Sequence, residues 1–220
     1  MEIKEYNLED LPTSSFNIVI AKRRGGKSYL VSYIIDELRK QNKVDLVFLF
    51  SPTDAGFEQI HKDFRFTNID VLENIVENFR LMNEYNKVVN KPKQIKLKAV
   101  IILDDLAVDL KKMNILDKMA TNGRHYAYEP LGLSFFILSQ SLMKISRTTR
   151  LNTDTIIHNM IASSKELQHI LDENYYLDQK EGKEIYYNTL KDNDFGFILI
   201  ANYKQNIKNF SDYIFSIKAK

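Results

Sequence analysis

The chain has 220 residues, 44% hydrophobic and 27% charged, with seven glycines, four prolines and no cysteine. That apolar share excludes a disordered or linker-like chain, and the length allows one large domain or at most two small ones. The missing cysteine excludes disulfide scaffolds, Cys-bearing zinc sites, iron–sulfur clusters and thiol nucleophiles. With 31 Lys+Arg against 29 Asp+Glu the formal charge is +2, so a nucleic-acid contact would have to come from local patches. Residues 1–12 carry Glu2, Glu5, Glu9 and Asp10 and lack a basic-then-apolar targeting pattern. No run approaches the ~18 apolar residues of a membrane span. The expectation is a soluble, intracellular protein with no membrane span.

In chain order, Phe16–Ile20 (FNIVI) is a short apolar strand with a glycine-bearing turn directly after it. Residues 28–40 repeat Leu30, Val31, Ile34, Ile35 and Leu38 at helical spacing. Residues 44–50 (VDLVFLF) predict a second strand, stopped by Ser51 and Pro52. The stretch 54–85 is helical in pieces, best at 71–85, and 87–98 is an exposed loop with five lysines and no acid. A third strand (99–103, AVIIL) ends at Asp104-Asp105. A helix at 113–122 is closed by Gly123 as a C-cap. A fourth strand covers 133–138 (LSFFIL), a fifth 155–162 (TIIHNMIA), and a short helix 164–174. Residues 185–187 and 195–200 are expected to pair as a final hairpin. Uniformly apolar strands alternating with helices indicate a mostly parallel central sheet with helices on both faces. The expected organisation is one domain: an extension (1–14), a core (15–162) and a C-terminal helix and hairpin region (163–220).

The sharpest motif is Ala21-Lys22-Arg23-Arg24-Gly25-Gly26-Lys27-Ser28, set against G-x-x-x-x-G-K-[ST], between a strand and a helix. Glycines let backbone N–H groups turn inward as an anion nest, and the helix start adds its positive dipole end. Lys27 would reach the β- and γ-phosphates of ATP, and the Ser28 hydroxyl would ligate Mg²⁺. The nucleotide-binding stretch runs from Ala21 to Tyr29. Ala21 stands where the pattern has its first glycine, which a negative φ would permit. The bland alternative is a Gly-Gly turn before an amphipathic helix.

About 75 residues further on, Ile101-Ile102-Leu103-Asp104-Asp105 ends an apolar strand in two carboxylates, as a metal–triphosphate site requires at the C-terminal edge of a sheet. Asp104 would hold Mg²⁺, and Asp105 would be the general base or water-orienting group. Ser139-Gln140 follows the LSFFIL strand. A neutral amide there can sense the nucleotide, or be an ordinary polar strand end. Lys144, Arg147 and Arg150, followed by Asn152, form a cationic run: a solvated loop, or a source of transition-state charge for a neighbouring subunit. His61, His125, His158 and His169 show no metal-ligand spacing, so no zinc is expected.

Taken together, the phosphate loop, the IILDD strand, Asn122-Gly123-Arg124-His125, Leu138-Ser139-Gln140 and Arg150-x-Asn152 resemble the viral genome-packaging ATPases of the FtsK–HerA superfamily, in particular the branch of poxviruses, giant viruses and virophages. The matching blocks span 16–162, roughly two-thirds of the chain. The resemblance implies a RecA-like (ASCE) P-loop NTPase core in a homo-oligomeric ring of five or six subunits. Such a ring would hydrolyse ATP with Mg²⁺ to move double-stranded viral DNA into a capsid, in the infected-cell cytoplasm or virus factory or on the virion. It further implies nucleotide and metal roles for Lys27, Ser28 and Asp104, a water role for Asp105, a sensor role for Gln140, and a finger acting in trans at Arg150, less so at Arg147. Asp105 replaces the Glu found in many members, a side chain about one C–C bond (~1.5 Å) shorter. Sequence-independent DNA contacts would come from Lys87, Lys91, Lys93, Lys96 and Lys98, or from Lys111 and Lys112, unless these lysines serve solvation alone. Two other functions fit the motifs: a P-loop small-molecule phosphotransferase, and a non-hydrolysing nucleotide-binding, DNA-associated scaffold.

Overall fold

Strand β1 (Phe16–Ile20) is buried at every position, as a strand covered on both faces must be. Phe16, Ile18 and Ile20 point into one apolar cluster, while Val19 and Ala21 point into another, following the two-residue period of a strand. The computed structural model describes residues 3–52, 57–106, 114–123, 127–161, 163–176, 178–191 and 195–220.

After β1 come α1 (Lys27–Lys40), β2 (Leu46–Phe50), β3 (Arg65–Phe66), α2 (Leu72–Val88), β4 (Lys98–Asp104), α3 (Asn114–Asn122) and β5 (Gly132–Ser139). Then follow α4 (Arg147–Leu151), β6 (Thr155–His158), α5 (Ser164–Asn174), α6 (Gln179–Leu190), β7 (Phe197–Ala201) and β8 (Ile214–Ile217). The strands form one eight-stranded sheet in the order β3-β2-β4-β5-β1-β6-β7-β8. Pairs from β3 through β6 are parallel, and β6–β7 and β7–β8 are antiparallel. The expected mostly parallel sheet is what forms.

Helix α1 buries Leu30, Val31, Ile34, Ile35 and Leu38 against one face. The other face receives Leu72, Val76 and Phe79 of α2, Leu116 and Met119 of α3, and apolar residues of α5 and α6. Asn17, the one polar residue of β1, is fully buried. It is satisfied by donating to the Phe135 carbonyl (2.9 Å) and the Ser15 hydroxyl (2.9 Å) and accepting from Thr155 (2.7 Å). Among the described residues no helix is long and apolar enough to cross a membrane.

Three expectations need correction. Residues 185–187 are not a strand but belong to α6, which Asp178 caps by accepting from the Lys180 and Glu181 N–H groups. The run Ile185-Tyr186-Tyr187 has β-type composition, yet Gly182, Ile185, Tyr186 and Leu190 make a buried helical stripe. The absent side chain at Gly182 matters, because a Cβ there would lie 2.8 Å from the Tyr175 ring. The C-terminal hairpin is therefore β7 with β8, and β7 also joins the main sheet. The fifth strand stops at His158 rather than 162. Finally, the expected helical pieces before 71 contain the short edge strand β3. The basic loop is as expected in exposure, and is tied at its base by Asn86, which exchanges hydrogen bonds with both backbone groups of Ile95 (2.8 and 2.9 Å).

Candidate nucleotide site

Parallel strands deliver their C-terminal ends to one rim of the sheet, and the motif residues sit there. Ile20 of β1 lies beside Ser139 of β5, and Leu138 lies beside Asp104 of β4. The strand that leads into Gln140 thus stands between the strand that feeds the loop and the strand that leads into the two carboxylates.

The loop itself is a tight reversal. The Gly25 N–H donates to the Lys22 carbonyl (3.0 Å), and a Cβ on Gly25 would lie 2.9 Å from that oxygen and 3.0 Å from the Ala21 methyl. Ala21 is fully buried with φ outside the left-handed region, so its methyl packs inside the loop without backbone strain. Arg24 (φ 60°) and Gly26 (φ 82°) adopt left-handed conformations, of the kind that lets loop backbone N–H groups form an anion-binding concavity. Gly26 is the N-cap of α1, whose first turn carries no acid, leaving the positive end of the helix dipole uncompensated. Lys22, Arg23, Arg24 and Tyr29 are exposed around the mouth.

Lys27 is buried within this cradle, its ammonium donating to the carbonyls of Ala21 (2.8 Å) and Lys22 (3.3 Å). Burial lowers its pKa, and the nearby Asp105 and Asp104 oppose that shift. The Ser28 hydroxyl donates to the Asp104 carboxylate (3.2 Å). Burial raises the Asp104 pKa, against the Ser28 hydrogen bond and the Lys27 charge. Each is a charge that burial disfavours and an opposite charge would stabilise: a phosphate for Lys27, a cation for Asp104. A hydroxyl and a carboxylate in contact suit Mg²⁺, which takes few protein ligands and completes its shell with phosphate and water. Among the described residues there is no cluster of three or more His, Asp or Glu able to make an all-protein metal cage.

Asp105 is exposed and left-handed (φ 47°). Its carboxylate accepts from the Gln140 amide at 3.0 and 3.2 Å. The structure thus brings Lys27, Ser28, Asp104, Asp105 and Gln140 together.

Arg150 goes elsewhere. Its guanidinium makes a bidentate pair with Glu173 of α5 (2.8 and 2.7 Å) and donates to the Ile145 carbonyl (2.8 Å). Both side chains are largely buried, 7% and 14% exposed. These three bonds tie Arg150 within the chain, joining α4 and the preceding turn to α5, while Arg147 is exposed. Arg124, His125, Lys111 and Lys112 lie outside the described residues. Lys87 belongs to the last turn of α2 rather than to the expected loop, and the loop carrying Lys91, Lys93 and Lys96 precedes β4, so it lies at the opposite rim from Asp104, about 20 Å away for a strand of seven residues. Lys98, the first residue of β4, donates to the Asn42 carbonyl (3.3 Å). Two site neighbours were not read from the sequence. His158, fully buried at the end of β6, gave no local signal. Phe195 approaches Gly26, and its only signal was membership of an apolar run.

No protein-family model matches the chain. An uncharacterized protein of Acanthamoeba polyphaga mimivirus, L437, is 26% identical over 168 residues, covering 70% of this chain. The match spans 55% of that relative's length, about half of it. Among solved structures, the genome packaging NTPase B204 of Sulfolobus turreted icosahedral virus 2, with sulfate, aligns at TM-score 0.65 and 17% identity over 96% of this chain and 98% of that one. The pCW3 conjugation coupling protein TcpA, with ATPγS, aligns at 0.61 and 16% identity over 94% of this chain and 60% of that one. The fold of this chain is thus the RecA-like P-loop ATPase fold shared with a viral packaging NTPase and a conjugation coupling protein, as the sequence motifs led one to expect.

Proposed function

We propose that this chain is an ATP-hydrolysing motor domain that translocates double-stranded DNA into a viral capsid in the infected cell, as one P-loop domain acting within a ring of identical subunits. The nucleotide reading is carried by one observation: the Ser28 hydroxyl meets the Asp104 carboxylate beside a buried Lys27 at a helix N-terminus. The DNA reading draws on the fold shared with B204.

In this reading the loop N–H groups and Lys27 hold the β- and γ-phosphates. Ser28 and Asp104 would hold Mg²⁺, which would supply charge neutralisation to the phosphates. Asp105 orients the attacking water and takes its proton as the new P–O bond forms and ADP leaves, while Gln140 fixes the Asp105 carboxylate from the neighbouring strand. Arg147, exposed at the start of α4, is a candidate to supply positive charge to a neighbouring subunit's phosphates. The exposed lysines before β4 contact DNA phosphates without reading sequence.

The test is steady-state ATP turnover with Mg²⁺, with and without linear duplex DNA, beside native mass measurement of the assembly. The expected result is turnover stimulated by DNA and abolished in a folded Lys27→Ala variant. Turnover at the wild-type rate in Lys27→Ala would remove the nucleotide assignment, and turnover indifferent to DNA would remove the translocase assignment.

A further inference from the structure

Phe195 is an exposed aromatic (59%) placed against the phosphate loop. A Cβ on Gly26 would lie 3.3 Å from its ring and 3.8 Å from that of the buried Phe197. The placement follows from topology. β7 runs antiparallel to β6 with His158 opposite Ile198, so the residues entering β7 reach the rim where the parallel strands end. In the sheet order, Asp104 comes from β4, two strands to one side of β1, and Phe195 precedes β7, two strands to the other side.

A nucleotide gripped by this loop has a fixed polarity. Its terminal phosphates must face Ser28 and Asp104, so its base must lie on the far side of the loop, where Phe195 is. An exposed ring held against the loop offers a flat apolar surface of the kind on which nucleobases stack. We infer that Phe195 is the base-stacking residue of the nucleotide site, binding the planar base through its π-face and contributing little to the choice between adenine and guanine. This inference rests on the nucleotide assignment above and adds a base-contacting residue to it.

The experiment compares binding of a non-hydrolysable Mg·ATP analogue and of inorganic tripolyphosphate to the full chain. Phe195→Ala is expected to weaken the analogue by about tenfold, the scale of one aromatic–base stack, and to leave tripolyphosphate unchanged. Because the chain has no tryptophan, Phe195→Trp installs a single indole; it should keep the affinity and be quenched by the analogue but not by tripolyphosphate. Equal binding of the analogue by wild type and Phe195→Ala would overturn the inference. So would an equal loss of both ligands, which would make Phe195 a support of the loop rather than a reader of the base. Wild type binding neither ligand would instead sink the nucleotide assignment itself, and this inference with it.

Discussion

Replacing Arg150 with alanine separates two roles that a cationic residue near a subunit edge can have. The side chain makes two bonds to Glu173 and one to the Ile145 carbonyl, all between 2.7 and 2.8 Å. Truncation leaves the Glu173 carboxylate, 14% exposed, without its counter-charge. Breaking one side of a buried pair costs about 3–5 kcal/mol, a large share of the ~5–15 kcal/mol that stabilises an ordinary domain. Denaturant unfolding followed by circular dichroism should show the midpoint falling with little change in slope. The Glu173→Ala change should add much less in the Arg150→Ala background than alone, since the pair is already broken. A folded Arg150→Ala protein within about 1 kcal/mol of wild type, yet without ATP turnover in the assembled state, would refute this reasoning and return Arg150 to a role at a neighbour's phosphate.

Two further outcomes follow from the rim. Gly25→Ala should bind nucleotide about 5- to 150-fold more weakly while the protein stays folded, because overpacking of about 1–3 kcal/mol falls on the loop backbone, measured by titration with a fluorescent ATP analogue. His158 is fully buried beside the Tyr186 ring with Nε2 unpartnered, and burial pushes its pKa down to about 4. The folded state thus binds fewer protons than the unfolded one between about pH 4 and 6.5. The stability carried by neutral His158 is complete above that window and is lost as pH falls through it, about 3 kcal/mol in all. His158→Phe should flatten the part of the pH–stability curve that His158 supplies, and an unchanged slope would count against this assignment.

The meeting of the glycine loop, the Asp pair and Gln140 at one rim was legible in the sequence because all three follow directly on apolar strands, and those strands announce themselves. Asp105 and Gln140 come together through sheet order, which motif order along the chain anticipates. Where tertiary contacts override local preference, the sequence was silent. Ile185, Tyr186 and Tyr187 favour strand by composition, yet the buried stripe with Gly182 against Tyr175 makes them helix. The Arg150–Glu173 pair joins residues on two different helices, and no spacing rule predicts it. Phe195 reads as one more apolar strand residue until β7 is seen antiparallel to β6, which carries the ring to the loop.

The most direct test of the central claim is a crystal structure of the chain with Mg²⁺ and a non-hydrolysable ATP analogue. Its phosphates should lie within the turn at 21–28, with the Lys27 ammonium moved from the Ala21 and Lys22 carbonyls onto them and a cation between Ser28 and Asp104. A saturated complex with the phosphates bound elsewhere and Lys27 still on those two carbonyls would contradict it.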